Sequence, residues 1–389
     1  MKYRFLDYII LSPVYWLFTG FFFVENADKK LVIFVLISLL FTVIRYGTDL
    51  IITNIKKPLC LLLIITSIYL AISGFINGGS SQEVRVYLVM LVLFISFPRK
   101  LLTEKTIDNL LILGSIAAIT FILYNKYILG IDRAVPHVGG GFNPIPYAST
   151  LSIFGLISVH RLIKSKKITL LISLVFLSAA ILFTQTRGVI LSYFILIPTF
   201  ILLVYGFNKN KIAITTVILL CISFFGYKMI ENRIKTTVQE IQSVQDGVFT
   251  TSIGLRVQFI NVALQLIKEK PIFGFGDRHA ERLQELYHEG KVSHAVAEYS
   301  PTSYHNQHLD TWVKKGVIGL ILLLILQVIP VIYAYKYQTQ YIDKVFALCL
   351  VALFMGICIA GTPFRQALPM APILFSIYYC LSFTKIERV

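Results

Sequence analysis

Apolar runs recur along almost the whole chain, separated by short polar breaks. Twelve are read, at 5–24, 31–45, 58–75, 84–97, 107–124, 146–163, 168–184, 188–206, 211–230, 315–335, 344–361 and 367–383. A helix needs about 20 apolar residues to cross a bilayer core, and a slightly shorter run crosses with flanking help. No period-two alternation marks a barrel. Backbone groups in lipid must be satisfied internally, so the runs are helices. The fold class expected is all-α: a polytopic integral membrane protein of about twelve transmembrane helices.

One long polar segment, 231–315, interrupts the pattern. From Leu255 to Lys270 apolar residues fall at 255, 259, 262, 263, 266 and 267, the spacing of a helix with one apolar face. Ser252 reads as its N-cap and Pro271 as its stop. Gly274 and Gly276 then make a turn. A second helix runs from Asp277 to Glu289, with Gly290 ending it. A third starts near Ser303 and leads into the tenth span at Gly316. Such amphipathic helices lie flat on the outer leaflet and pack over the bundle. The chain reads as a single membrane domain, 1–389, with 231–315 as a loop subregion between spans nine and ten. Another loop, 125–145, holds Gly139, Gly140, Gly141 and Pro136, with Pro144 and Pro146 at its end. It is either a segment dipping into the membrane or a turn-rich connector.

Composition agrees. Of 389 residues, 56% are hydrophobic and 14% charged, which no soluble core absorbs. Met1-Lys2-Tyr3-Arg4 precedes the first run without a small-residue cleavage site, so that run reads as a retained span. Cys60, Cys221, Cys349, Cys358 and Cys380 all sit in apolar runs, as inert small hydrophobes.

Charge sets the orientation. With the N-terminus inside, the inner segments carry 18 Lys and Arg and the short outer loops seven. The positive-inside rule then puts both termini in the cytoplasm and the long loop outside. That loop holds ten basic and ten acidic residues, so the net charge of +16 comes from topology. No nucleic-acid partner is implied. No Asp-X-Asp motif holds a nucleotide sugar through Mg²⁺, and no phosphate-binding P-loop is present. Few charges fall mid-span, which argues against an ion-coupled transporter.

The candidate chemistry lies on the outer side. Arg187, in Thr184-Gln185-Thr186-Arg187-Gly188, is either a phosphate clamp or an interface arginine whose head reaches water. Arg256 falls in the first turn of the loop helix, where a cation opposes the macrodipole and suits an anion; the plainer reading is a solvated side chain. Arg85 and Arg365 are also outer. The four arginines are expected to face one cavity that receives a diphosphate. His305 can take a proton from a hydroxyl near neutral pH, or it simply caps a helix. His305 and His308 are spaced to share a helix face, a weak metal pair without a third ligand. His279, His288 and His294 read as solvated. Glu25 and Asp28 leave a metal-dependent lipid-linked oligosaccharide transferase open as a rival.

In order along the chain stand Thr184-Gln185-Thr186-Arg187, Gly254-Leu255-Arg256, Lys270-Pro271 with Phe273-Gly274, and His305-Asn306 ahead of Gly316-Val317-Ile318-Gly319-Leu320. This ordered set resembles the superfamily of O-antigen ligases and O-antigen polymerases of bacterial inner membranes. The likeness is close over 180–320 and is nearest to the enterobacterial lipopolysaccharide ligases. It implies a membrane glycosyltransferase that takes O-antigen from undecaprenyl diphosphate. The acceptor implied is a hydroxyl of the lipid A–core oligosaccharide, at the periplasmic face. The reaction implied is inverting, metal-independent and free of cofactors. His305 corresponds to the general base of that family, and Arg187 and Arg256 to its diphosphate-binding arginines. Gln307-His308 departs from the pattern. The alternatives are an O-antigen polymerase with a lipid-linked glycan as acceptor, and a lipid or polysaccharide transporter.

Overall fold

A computed structural model of the chain describes residues 2–24, 26–131, 144–206, 231–232 and 234–382. The helices are α1 (Lys2–Phe18), α2 (Gly20–Phe23), α3 (Ala27–Tyr46), α4 (Asp49–Ile55), α5 (Pro58–Asn77), α6 (Ser81–Ser96), α7 (Glu104–Tyr127), α8 (Pro144–Ser165), α9 (Ile168–Phe183) and α10 (Arg187–Tyr205). There follow α11 (234–245), then α12 (Ser252–Glu269), α13 (His279–His288), α14 (His294–Tyr299), α15 (Gln307–Tyr337), α16 (Tyr341–Ala360) and α17 (Ala367–Leu381). Among the described residues there is no strand. The ninth expected span, 211–230, lies outside the described residues, as do Glu25, Cys221 and the triple glycine at 139–141.

Helices fall on each of the other expected spans. By length and apolarity, five of them can cross a membrane: α5, α7, α10, α15 and α16. The number becomes six if α3 and α4, bent by 118°, count as one span. α6, α9 and α17 have only 16, 16 and 15 residues. Outward faces stay apolar. On α5, Leu61, Ile65, Ile68 and Ile72 recur at helical spacing and are exposed. Such a stripe has no place in water and suits lipid. α8 is the reverse case, with every residue from Pro146 to Arg161 buried. Its Ser149, Thr150, Ser152, Gly155 and Ser158 are small, which lets neighbouring backbones approach. It packs on α9, α16, α17 and α10.

The bundle has two polar ends. At one, Arg161 on α8 bonds Asp108 at 2.7 Å and Glu104 at 3.1 Å on α7. Lys164 and His160 hold Asp343, at the start of α16, at 2.9 and 2.7 Å. At the other end α16 finishes and α10 begins: a methyl on Gly188 would meet Ala360. There α6 begins too, with Glu83 paired to Lys315 of α15.

Over this second end the segment after α11 folds as a cap with a core of its own. Phe259, Val262, Ala263, Leu266 and Ile267 on α12 pack with Leu283, Leu286, Val296, Tyr304 and Val313. Each Phe, Val, Leu or Ile among them, fully buried, contributes about 1.5–3 kcal/mol. The α12 cap is Thr251, whose hydroxyl accepts from the Gly254 N–H at 3.2 Å. That is one residue before the Ser252 expected, because both residues are hydroxylic and adjacent. Pro271 stops α12 as expected. The 271–276 turn then docks into α15. Phe275 N–H donates to Val313 O at 2.8 Å, Val317 N–H to Pro271 O at 2.8 Å, and Trp312 Nε1 to Pro271 O at 3.1 Å. Gly276 has φ 59°, and a Cβ there would lie 2.3 Å from Asn77 O. Only glycine lets the turn sit that close to the end of α5. α15 breaks where it receives the turn, at Gly316 with φ 62° and ψ −170°.

Candidate functional site

His305 stands just outside α15. Asn306 caps that helix, its side-chain oxygen accepting from His308 N–H at 3.0 Å and Leu309 N–H at 3.2 Å. Asn is a strong capping residue because it satisfies donors the first turn leaves orphaned. His305 before it adopts φ 51°, a left-handed conformation that few non-glycine residues take. Its ring stacks on Phe259 of α12, with centroids 5.9 Å apart and planes 12° apart. Among the described residues neither ring nitrogen has a hydrogen-bond partner. Burial pushes the imidazole below its ordinary range, nearby Arg256 pushes the same way, and Asp310 opposes both. The ring is neutral at neutral pH.

Arg256 follows on the same helix as Phe259. It is half-buried and makes no ion pair among the described residues. Burial lowers its pKa first, and then the neighbouring charge of Arg187. Arg187 is the first residue of α10. Gln185, at φ 52°, turns the chain between α9 and α10 and so delivers it there. The cation opposes the α10 dipole, and Glu240 of α11 compensates, at 3.0 Å and 3.4 Å. His305, Arg256, Arg187 and Glu240 therefore form one electrostatic chain between the cap and the bundle, with Tyr299 beside Arg256.

The other two arginines are held by other partners. Arg85 on α6 is held by Asp28 at 2.6 Å. Arg365 follows α16 and bonds the Thr302 carbonyl. Both line a cavity of about 500 Å³ whose lining does not include Arg187, Arg256 or His305. The two groups meet at Asp310, which is 1% exposed. Its Oδ1 accepts from Tyr304 N–H at 3.2 Å and from Lys314 at 3.1 Å, and Arg365 lies 3.6 Å from its Oδ2.

Two histidine expectations change. His308 does not share a face with His305, because His305 precedes the helix; its Nε2 meets Gln327 at 3.0 Å. His279 is buried, not solvated, with Nδ1 3.0 Å from the Tyr304 hydroxyl. Burial and the nearby Lys314 push it down to about 4. His288 and His294 are exposed, as expected. Sequence reasoning missed Glu240, Phe259 and Asp310. For Asp310 one signal existed: a carboxylate four residues before Lys314 on one helix. Phe259 was legible as core and not as a stacking partner. Nothing in spacing joins Glu240 to Arg187, 53 residues away.

Residues 172–324 match the O-antigen ligase family. The E. coli K12 O-antigen ligase is 25% identical over 179 residues, 45% of this chain and 41% of that protein. The likeness to O-antigen ligases thus falls on the 172–324 segment. A Haemophilus influenzae protein described as uncharacterised is 26% identical over 305 residues, 74% of this chain and 73% of that protein. The matched family segment contains Arg187, Arg256, His305 and the break at Gly316. The apolar helices mark a membrane protein, and its 172–324 segment is similar to O-antigen ligases.

Proposed function

We propose that the protein is an O-antigen ligase of the bacterial inner membrane, working at the periplasmic face with both termini in the cytoplasm. It moves glycan from undecaprenyl diphosphate to a hydroxyl of lipid A–core. The observation that carries this reading is the pairing of a neutral His305 with the cation of Arg256, neither of which has a hydrogen-bond or ion-pair partner among the described residues. A base and an anion site side by side are what glycosyl transfer from a diphosphate needs.

His305 takes the proton of the acceptor hydroxyl as its oxygen attacks the anomeric carbon. The bond from that carbon to the diphosphate breaks, and the electron pair leaves with undecaprenyl diphosphate. The new linkage inverts the anomeric centre. Arg256, with Arg187 behind it, stabilises the developing charge. Guanidinium groups in a water-poor cleft hold phosphate oxygens in bidentate fashion, so in this reading no metal is required. Glu240 keeps Arg187 in place until a diphosphate competes for it. General-base help is worth about 10²–10⁴-fold.

The test is transfer by purified protein in lipid, read as a change in product mass. His305→Ala is expected to lose about 10²-fold or more of the rate; a variant turning over at the wild-type rate removes the base. A polymerase would carry the same donor site. Supplying lipid A–core and lipid-linked glycan separately as acceptors decides between the two. Binding without any product mass change would instead make the protein a transporter.

A further inference from the structure

A cavity of about 500 Å³ opens between α3, α5 and α6 and the 276–277 turn. Val32, Leu70, Leu88 and Val89 make one wall apolar. Arg85, Lys315 and Arg365 bring cations, and Asp277 adds a carboxylate. Lys315 is taken by Glu83. Arg85 is different. Asp28 uses its Nη2, but its Nε is buried without a hydrogen-bond partner among the described residues. A buried donor left unmade is unfavourable, and it calls for an acceptor. Arg365 spends Nη1 on Thr302 and has further donors to offer.

The lining thus offers guanidinium donors for an anion, a carboxylate acceptor for hydroxyls, and an apolar wall. A phosphorylated sugar carrying acyl chains satisfies all three at once. The cavity lining is also tied to the segment that leads to the base. Arg365 and Lys314 both bond the carbonyl of Thr302, three residues before His305. We propose that this cavity docks the phosphorylated glycolipid whose hydroxyl is the acceptor, apart from the Arg187–Arg256 cluster that takes the donor. The proposal rests on the transfer reading above.

Direct binding tests it without turnover. The full chain, in nanodiscs of phosphatidylcholine, is titrated with lipid A–core and with the same glycolipid stripped of phosphate. Removing the phosphates is expected to weaken binding by about fivefold or more, as is the paired variant Asp28→Asn/Arg85→Gln, which leaves no buried carboxylate alone. Ala71→Phe, which fills the cavity without touching charge, is expected to weaken binding equally. Arg187→Gln is expected to leave acceptor binding within about twofold. Wild-type affinity in both cavity variants overturns the proposal. So does loss of glycolipid binding when phosphatidylglycerol is added at the same mole fraction, which assigns the cavity to bulk phospholipid. Binding without transfer would sink the ligase reading and leave the cavity assignment standing. Transfer with an unchanged acceptor KM in both variants would do the reverse.

Discussion

His308 Nε2 and Gln327 Oε1 lie 3.0 Å apart, although 19 residues separate them within one helix. Straight helix of that length spans roughly 28 Å. The chain therefore doubles back between them, and the only non-helical residue there is Gly316. α15 is two helical arms folded at one glycine. The first arm carries Asp310 and the cap of His305; the second is the apolar one.

Gly316→Ala is accordingly expected to be among the most damaging substitutions in the cap. A methyl would sit 1.9 Å from Ile272 O, at φ 62°. Positive φ with ψ near 180° is a region essentially only glycine adopts, costing about 1–3 kcal/mol for alanine, and the overlap with backbone adds more. The sum is expected to exceed about 4 kcal/mol. Gly290→Ala is the control: it has φ 71° but nothing within 4 Å, so about 1–2 kcal/mol is expected. Thermal unfolding in detergent compares them. Equal shifts in Tm would mean that the docked turn is not what needs Gly316.

The rate of transfer is expected to follow His305 titration. The base works when neutral, so activity falls as pH drops through its pKa. Burial and Arg256 hold that pKa below 6.5, so the acid limb of kcat/KM lies below pH 6.5. Arg256→Gln removes a cation that favours the neutral ring. The limb then moves to higher pH, on top of any loss of donor binding. A limb that stays put in Arg256→Gln would show that the two groups do not sense each other.

Much of this was legible in sequence, and the misses share a cause. Helical period, Pro271 and the glycines located α12, the turn and α13, because local sterics decide those. The fold-back at Gly316 was not legible. A lone glycine inside an apolar run looks like a tolerated interruption, and only the docked 271–276 turn makes it a corner. The same holds for the arginines. Residue type and side of the chain point four of them to one end, but their partners, Asp28 for Arg85 and Glu240 for Arg187, lie too far off in sequence for spacing to reveal.

Asp310 is expected to be a positioning residue for the base. Its carboxylate ties Lys314, Arg365 and the backbone of Tyr304 together directly before His305. Asp310→Asn leaves Lys314, 3% exposed, without its counter-charge. Breaking a buried pair from one side costs about 3–5 kcal/mol. Asp310→Asn/Lys314→Met is expected to regain more than half of the Tm lost. If the double variant is as unstable as the single one, the unpaired ammonium is not the source of the damage. A positioning role also predicts that the refolded double variant has a lower kcat with donor KM unchanged.

His279 makes the cap sensitive to acid. In the folded protein it is buried against the Tyr304 hydroxyl and titrates at about 4, against 6.5 as its ordinary value. Lys314 and Arg365 disfavour its charged form, while Asp310 and Asp277 favour it. Above pH 6.5 the ring is neutral in both folded and unfolded chains, and its contribution is complete. As pH falls from 6.5 towards 4 the unfolded chain takes up a proton that the folded chain refuses, so stability is lost. Below about 4 both are protonated and the loss levels off. The difference is worth up to about 3 kcal/mol. His279→Phe is expected to lose about 1 kcal/mol at pH 8 with its hydrogen bond to Tyr304. Its stability should then fall less than that of wild type between pH 6.5 and 4.5. Trp312, against Pro271 in the cap, reports unfolding by fluorescence once Trp16→Phe has removed the second of the two tryptophans. Wild type and His279→Phe losing stability in parallel across that window would show that another group carries the acid sensitivity.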